Sequence, residues 1–306
     1  MVASMRSRTL VASLLLIGFA VAACNDPTGV YRRPMDARLL VSTSDGHRTA
    51  VGVMNADGSG FEEILVEYAA PVLVSWAPDY QRFAMAREVR NGLSLGLTIW
   101  SIGIDGSDRL TVLESDWGIP DHISWSPDGG RILFGACQIF AAPPRCGIFT
   151  VPRVGGEVDT LLISTRRPLH PQWSPDGRTI AFVQDSGEGT GLYMMNADGS
   201  GTRELLSTPH ELGSPAWSPD GRRIAFVSDE TGQFEIWTVQ TDGSDARRLT
   251  YATDFYDTIP QWSPDGNSIA FIRSFSADPR RVMLVSDTGG EPRLVEPPTY
   301  VSDLAW

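Results

Sequence analysis

Short apolar runs separated by turns rich in Gly, Pro, Asp and Ser recur along almost the whole chain after residue 37. Arg223-Arg-Ile-Ala-Phe-Val227 and Phe234-Glu-Ile-Trp-Thr-Val239 are representative. Runs of that length, rich in β-branched and aromatic residues and bounded by turn formers, predict strands rather than helices. They fall into groups of four. Strand A ends at a Trp, as in Asp121-His-Ile-Ser-Trp125, and a Ser-Pro-Asp-Gly turn follows. Pro presets φ at the second turn position, and Gly accepts the conformation that closes the turn. Strands B and C come next, then a second tight turn: Asp57-Gly58, Asp105-Gly106, Asp198-Gly199 and Asp242-Gly243, with Gly155-Gly156 and Gly289-Gly290 as variants. Asp-Gly between apolar runs is a strong hairpin signal. Strand D closes the unit, as in Arg247-Arg-Leu-Thr250.

The unit repeats. Full copies stand at Trp125-Ser-Pro-Asp-Gly129, Trp173-Ser-Pro-Asp-Gly177, Trp217-Ser-Pro-Asp-Gly221 and Trp262-Ser-Pro-Asp-Gly266, with a degenerate copy at Trp76-Ala-Pro-Asp-Tyr80. Trp306 stands where a sixth copy would begin, and the Trp spacings are 49, 48, 44, 45 and 44 residues. A period of this size points to propeller blades or a similar array. The first strand, Ala37-Arg-Leu-Leu-Val41, matches strand B, and the last, Val301-Ser-Asp-Leu-Ala-Trp306, matches strand A. Pairing the two would complete one blade from both ends of the chain and leave it no open inner edge. The expectation is an all-β fold: a six-bladed β-propeller of four-stranded blades, closed by the C-terminal strand on the first blade.

The W-S-P-D-G-x-x-I-A-F pattern, seen at Trp217–Phe226 and Trp262–Phe271, resembles the TolB-type propeller repeat, also called the WD40-like or PD40 repeat. The resemblance covers about residues 37–306 and implies the propeller fold.

Residues 1–23 read differently. Arg6 and Arg8 precede an apolar stretch from Leu10 to Ala20, too short to span a bilayer comfortably, and Val21-Ala22-Ala23-Cys24 follows. Small residues ahead of a cleavage point fit a secretory signal peptide. A Cys directly after them resembles the lipobox of bacterial lipoproteins, which implies that Cys24 becomes a lipidated N-terminus. The alternative is an ordinary signal peptide with an incidental Cys. Residues 24–36, with Pro27, Gly29 and Pro34, read as a tether, and residues 37–306 as the propeller. The chain is thus expected in a bacterial cell envelope, membrane-anchored, with the propeller on the periplasmic side or at the cell surface.

Composition sharpens the picture in two places. The formal net charge is −12, and all 25 basic residues are Arg, with no Lys. An acidic surface repels phosphate backbones and argues against nucleic acid as a partner. Cys137 and Cys146 flank the strand B to strand C loop of the third blade. Hairpin ends approach closely enough for a disulfide, and an oxidising compartment favours one. Two free buried thiols, or a metal-binding pair, are the alternatives.

The loops divide between two faces. The A–B and C–D turns share one face and are uniform; the D–A and B–C loops share the other and vary. Loops on a rigid scaffold carry recognition, so function is expected on the varied face. His47, His122, His170 and His210 all map there, with Asp121, Asp257 and Asp303 on the approaches to the inner strands and Tyr68, Trp117, Phe255, Tyr256 and Tyr300 nearby. One reading makes this set a binding face for an envelope protein or peptide, with no catalysis and no cofactor. The other makes His122 and His170 ligands of a metal in an enzyme or carbohydrate binder. Propeller lyases acting on pectic oligosaccharides hold metal through histidines on such a face, although their histidine pattern is not matched here. Two histidines without a third defined ligand are a weak metal signal. Gly92-Leu-Ser-Leu-Gly96 fits G-x-S-x-G, but that motif needs a strand before it and a helix after it, and Leu97-Thr-Ile-Trp100 predicts a strand. The Asp-Gly-Ser-Gly runs at 57–60 and 198–201 also lack a following helix and read as turns.

Overall fold

The computed structural model describes residues 38–44, 48–67, 72–91, 94–138, 145–251, 253–275, 280–295 and 301–306. The leader and tether, Cys24 included, lie outside the described residues, as do His47, Tyr68 and Tyr300. Among the described residues there are twenty-four strands and no helix. The first three are β1 (Leu39–Ser44), β2 (Thr49–Met54) and β3 (Glu62–Glu67). Blade 2 holds β4 (Leu73–Trp76), β5 (Arg82–Asn91), β6 (Ser94–Gly103) and β7 (Leu110–Ser115). Blade 3 holds β8 (Ile119–Trp125), β9 (Arg131–Gln138), β10 (Arg145–Pro152) and β11 (Asp159–Ser164). Blade 4 holds β12 (Leu169–Trp173), β13 (Thr179–Asp185), β14 (Thr190–Asn196) and β15 (Arg203–Thr208). Blade 5 holds β16 (Leu212–Trp217), β17 (Arg223–Ser228), β18 (Glu235–Gln240) and β19 (Arg247–Arg248). Blade 6 holds β20 (Phe255–Trp262), β21 (Ser268–Phe275), β22 (Arg281–Ser286) and β23 (Arg293–Val295). The last strand, β24 (Val301–Ala305), pairs antiparallel with β1, with Leu40 opposite Ala305 and Ser42 opposite Asp303, giving blade 1 the order β24-β1-β2-β3.

The inner strands β24, β4, β8, β12, β16 and β20 touch in sequence, and β20 returns to β24, so the ring closes. Stacking blade on blade buries both faces of each sheet. That is why the B strands read as continuous apolar runs instead of alternating ones. In blade 3, Ile132 and Phe134 pack toward blade 2 while Leu133 packs toward blade 4. Phe134, Phe182, Phe226 and Phe271 recur at one repeat position on successive blades, and all are fully buried.

The repeat turns join neighbouring blades. Within each turn the Asp carboxylate accepts the amide two residues on, from Asp79 to Gln81 through Asp265 to Asn267, at 2.9–3.1 Å. The Trp217 indole N–H donates to Gln172 O at 3.2 Å, and that of Trp262 to Ala216 O at 3.1 Å, each on the preceding blade. The C–D turn glycines sit against the outer strand of the blade before. Gly199 has φ +85°, and a Cβ there would fall 2.4 Å from Leu161 O. Both the left-handed backbone and the contact oppose a side chain. Gly199→Ala is therefore expected to destabilise the propeller by about 2 kcal/mol, measured by denaturant unfolding. An unchanged midpoint would show that this turn does not fix blade spacing.

Cys137 and Cys146 face each other across the β9–β10 ladder and are joined as a disulfide, both buried. Ser94 and Gly96 of the G-x-S-x-G match lie in β6, which runs on as strand to Gly103. That segment therefore forms no strand-to-helix elbow.

Candidate functional site

The inner strands approach their Trp through a short segment that differs from blade to blade. It delivers polar side chains to the varied-face mouth of the central channel. In blade 3, β8 carries a bulge between Pro120 and His122. The bulge turns the Asp121 side chain onto Gly135 of β9, whose absent Cβ would stand 1.9 Å from Asp121 Oδ1. Asp121 Oδ2 then accepts the His170 backbone N–H of blade 4 at 2.7 Å. Asp303 does the equivalent between blades 1 and 2, accepting the Val74 N–H at 2.7 Å. Both carboxyls are removed from water, and burial pushes each up to about 7. Two of the predicted site aspartates thus join neighbouring blades.

A buried acid with a raised pKa stabilises the fold most when it is protonated. Its contribution is fully present below the unfolded carboxylate pKa and is lost as pH rises toward about 7. Asp303→Asn is therefore expected to flatten the loss of stability between pH 4 and pH 7. At pH 8 it should raise stability by about 1–3 kcal/mol, less than the full linkage value because the amide brings its own N–H groups to bury. Thermal melts from pH 4 to pH 8 test this, and a variant less stable than the parent at pH 8 would contradict it.

His122 and His170 are brought near each other, and both are partly buried. His122 Nε2 lies 2.8 Å from Gln172 Oε1, a bond in which the imidazole donates. His170 Nδ1 accepts the Ser214 N–H at 3.4 Å. Burial lowers both imidazole pKa values, that of His170 to about 4, with the neighbouring His122 adding to the shift. Both rings are accordingly neutral at physiological pH. One nitrogen of each is engaged within the protein, and no group of three His, Cys, Asp or Glu side chains that could hold a metal occurs among the described residues. His170, Ser214 and Ile259 have φ of +52°, +47° and +54°, each just before a Pro in blades 4, 5 and 6. The same bulge therefore shapes three adjacent inner strands.

Beside His122 is a cavity of about 30 Å³, lined also by Ser75, Ser124, Gln172, Gln261 and Trp125. That is room for one or two water molecules. The lining residues Ser75, Ser124, Gln172 and Gln261 each stand directly before a repeat Trp. That position before the Trp is the sequence signal that marks them.

The other predicted residues separate. Asp257 is fully buried and forms a two-pronged ion pair with Arg273, with Nε to Oδ1 at 2.7 Å and Nη2 to Oδ2 at 2.8 Å. The Arg273 guanidinium lies 3.7 Å from the Phe255 ring centroid. Arg273 is not marked in the sequence, because a charged residue ending an apolar run resembles an exposed strand end. Tyr256 is exposed and meets Phe234 at 6.0 Å, and Tyr251 is more exposed still, under Arg248. Trp117 packs edge-on against Phe149 at 4.6 Å and caps the core between blades 2 and 3. His210 stands apart beside Asp229, at 3.8 Å.

Residues 163–299 match the family described as PD40, the TolB beta propeller domain. The Tol-Pal system protein TolB of Anaeromyxobacter dehalogenans is 39% identical over 106 residues, which is 35% of this chain and 23% of that protein. The matched stretch thus spans less than a quarter of that relative. The crystal structure of TolB from Acinetobacter baumannii superposes with a TM-score of 0.73 at 18% identity, over 88% of this chain and 66% of that one. Oligogalacturonate lyase from Vibrio parahaemolyticus superposes with a TM-score of 0.57 at 14% identity, over 86% and 80% of the two chains, so an enzyme shares the fold. The repeat, the six closed blades and these similarities together show a β-propeller of TolB-like fold, with a PD40 match over residues 163–299.

Proposed function

We propose that this chain is a non-catalytic binding protein of the cell envelope, anchored through Cys24, that holds a protein or peptide partner on its varied loop face. The observation carrying the proposal is the contrast between the two faces. On the turn face, the aspartates are engaged by their own turn amides and serine hydroxyls. On the varied face, Tyr251 and Tyr256 present exposed rings at the connection between blades 5 and 6. Exposed aromatic anchors suit protein recognition. The similarity to TolB, a Tol-Pal system protein, supports an envelope role.

The alternative of a metal-dependent enzyme at His122 and His170 has less support, because each ring already commits a nitrogen to the protein. Affinity purification from native envelopes distinguishes the two readings. Carboxylate-directed or photochemical crosslinkers are needed, since the chain has no lysine. A specific partner is expected, with capture weakened at least tenfold by Tyr251→Ala/Tyr256→Ala and unchanged by His122→Ala/His170→Ala. Stoichiometric metal in the purified protein, lost in the histidine variant, would favour the enzyme.

A further inference from the structure

The position of Arg38 sets how the propeller faces a membrane. Its carbonyl accepts the Trp76 indole N–H at 3.0 Å, and its guanidinium reaches Gly60 O in the first C–D turn. The chain therefore enters the fold on the repeat-turn face, and β1 runs from there toward the varied face. Fourteen peptide units separate Cys24 from Arg38. We propose that the turn face is the membrane-proximal side of the anchored protein, and that the varied face is held away from the bilayer to meet a partner from the aqueous side. The proposal rests on the reading of Cys24 as the lipidated residue.

Length decides between the two orientations. An unstretched chain of this length reaches about 20 Å, against roughly 50 Å when pulled straight. An anchor under the turn face needs only the unstretched reach. To place the varied face on the bilayer, the chain must first pass outward beyond β2 and β3, about 10 Å at ordinary strand spacing. It must then climb a six-residue blade, about 20 Å, and clear the loops above it. That path exceeds the unstretched reach of about 20 Å before any loop is cleared, and each added increment of extension costs conformational entropy. Blade 2 raises the barrier further: its ten-residue strands β5 and β6 extend the varied face to about 33 Å of strand height.

The absence of lysine makes this measurable, since one introduced lysine gives one amine-labelling site besides the N-terminus. Val154→Lys and Ala246→Lys place it at exposed positions by the C–D turns; Glu230→Lys and Thr253→Lys place it at exposed positions on the varied face. Each full-length chain is purified from its own membrane and labelled with a donor dye. It is then reconstituted in phosphatidylcholine vesicles carrying an acceptor on a lipid headgroup, with the unsubstituted chain supplying the N-terminal background. Energy transfer from positions 154 and 246 is expected to exceed that from 230 and 253 several-fold. Equal or reversed transfer, with an acyl chain found on Cys24 by mass spectrometry, overturns the orientation and leaves the lipidation intact. No acyl chain on Cys24 overturns the lipidation and the orientation with it.

Discussion

Gly135→Val is expected to be among the most damaging substitutions in the chain. A Cβ at position 135 would meet Asp121 Oδ1 at 1.9 Å, so the carboxyl must leave its seat. Two costs add. Overpacking between blades 3 and 4 costs about 1–3 kcal/mol. The His170 N–H also loses its acceptor, at about 1–3 kcal/mol for a buried donor left unmade. The expected loss is about 3–5 kcal/mol, or roughly 10 °C in melting temperature for a domain of this size. A double-mutant cycle isolates the cause. With Asp121→Ala already present, Gly135→Val should cost at least 2 kcal/mol less, because the occupant of the space is gone. Additive effects would show that Gly135 serves some purpose other than seating Asp121.

Arg273→Met is the second. It leaves the Asp257 carboxylate fully buried without its partner, and breaking one side of a buried pair costs about 3–5 kcal/mol. Replacing both, as Asp257→Leu/Arg273→Met, should recover most of that loss, since a buried ion pair adds little net stability over apolar packing. Arg273 also lies over Phe255, next to exposed Tyr256. If the varied face binds the partner, the double variant should be stable yet bind several-fold more weakly, because the aromatic segment has lost the cation that orders it. Denaturant unfolding and partner capture on the same three proteins test both points. A single variant as stable as the parent would mean that water reaches Asp257.

The architecture was legible because a propeller repeats one local rule. Trp, Ser, Pro, Asp and Gly act through contacts within five residues or with the next identical blade, so spacing alone counts the blades. The phase at Ala37 and Trp306 even named the closing pair, and β24 lies on β1 as that phase requires. The site was less legible. Asp121, Asp257 and Asp303 all stood out as acids near inner strands. Their uses diverge: two hold the next blade by a backbone N–H, and the third pairs with Arg273. Gly135 carried a signal that was available, since a glycine inside a strand run marks close approach, here by an aspartate. Gln172 carried none beyond its place before a Trp.

By itself, then, the sequence determined the elements, their number and the sorting of loops into a uniform and a varied face. Those depend on local conformational preference and on a periodic apolar pattern, both of which are written residue by residue. Only the tertiary structure decided what the polar residues of the varied face do. Whether His122 meets Gln172, whether Asp303 meets Val74, and whether Asp257 is buried are set by residues 50, 229 and 16 positions apart. Such pairs form only when stacked blades exclude water and force each buried polar group to find a partner.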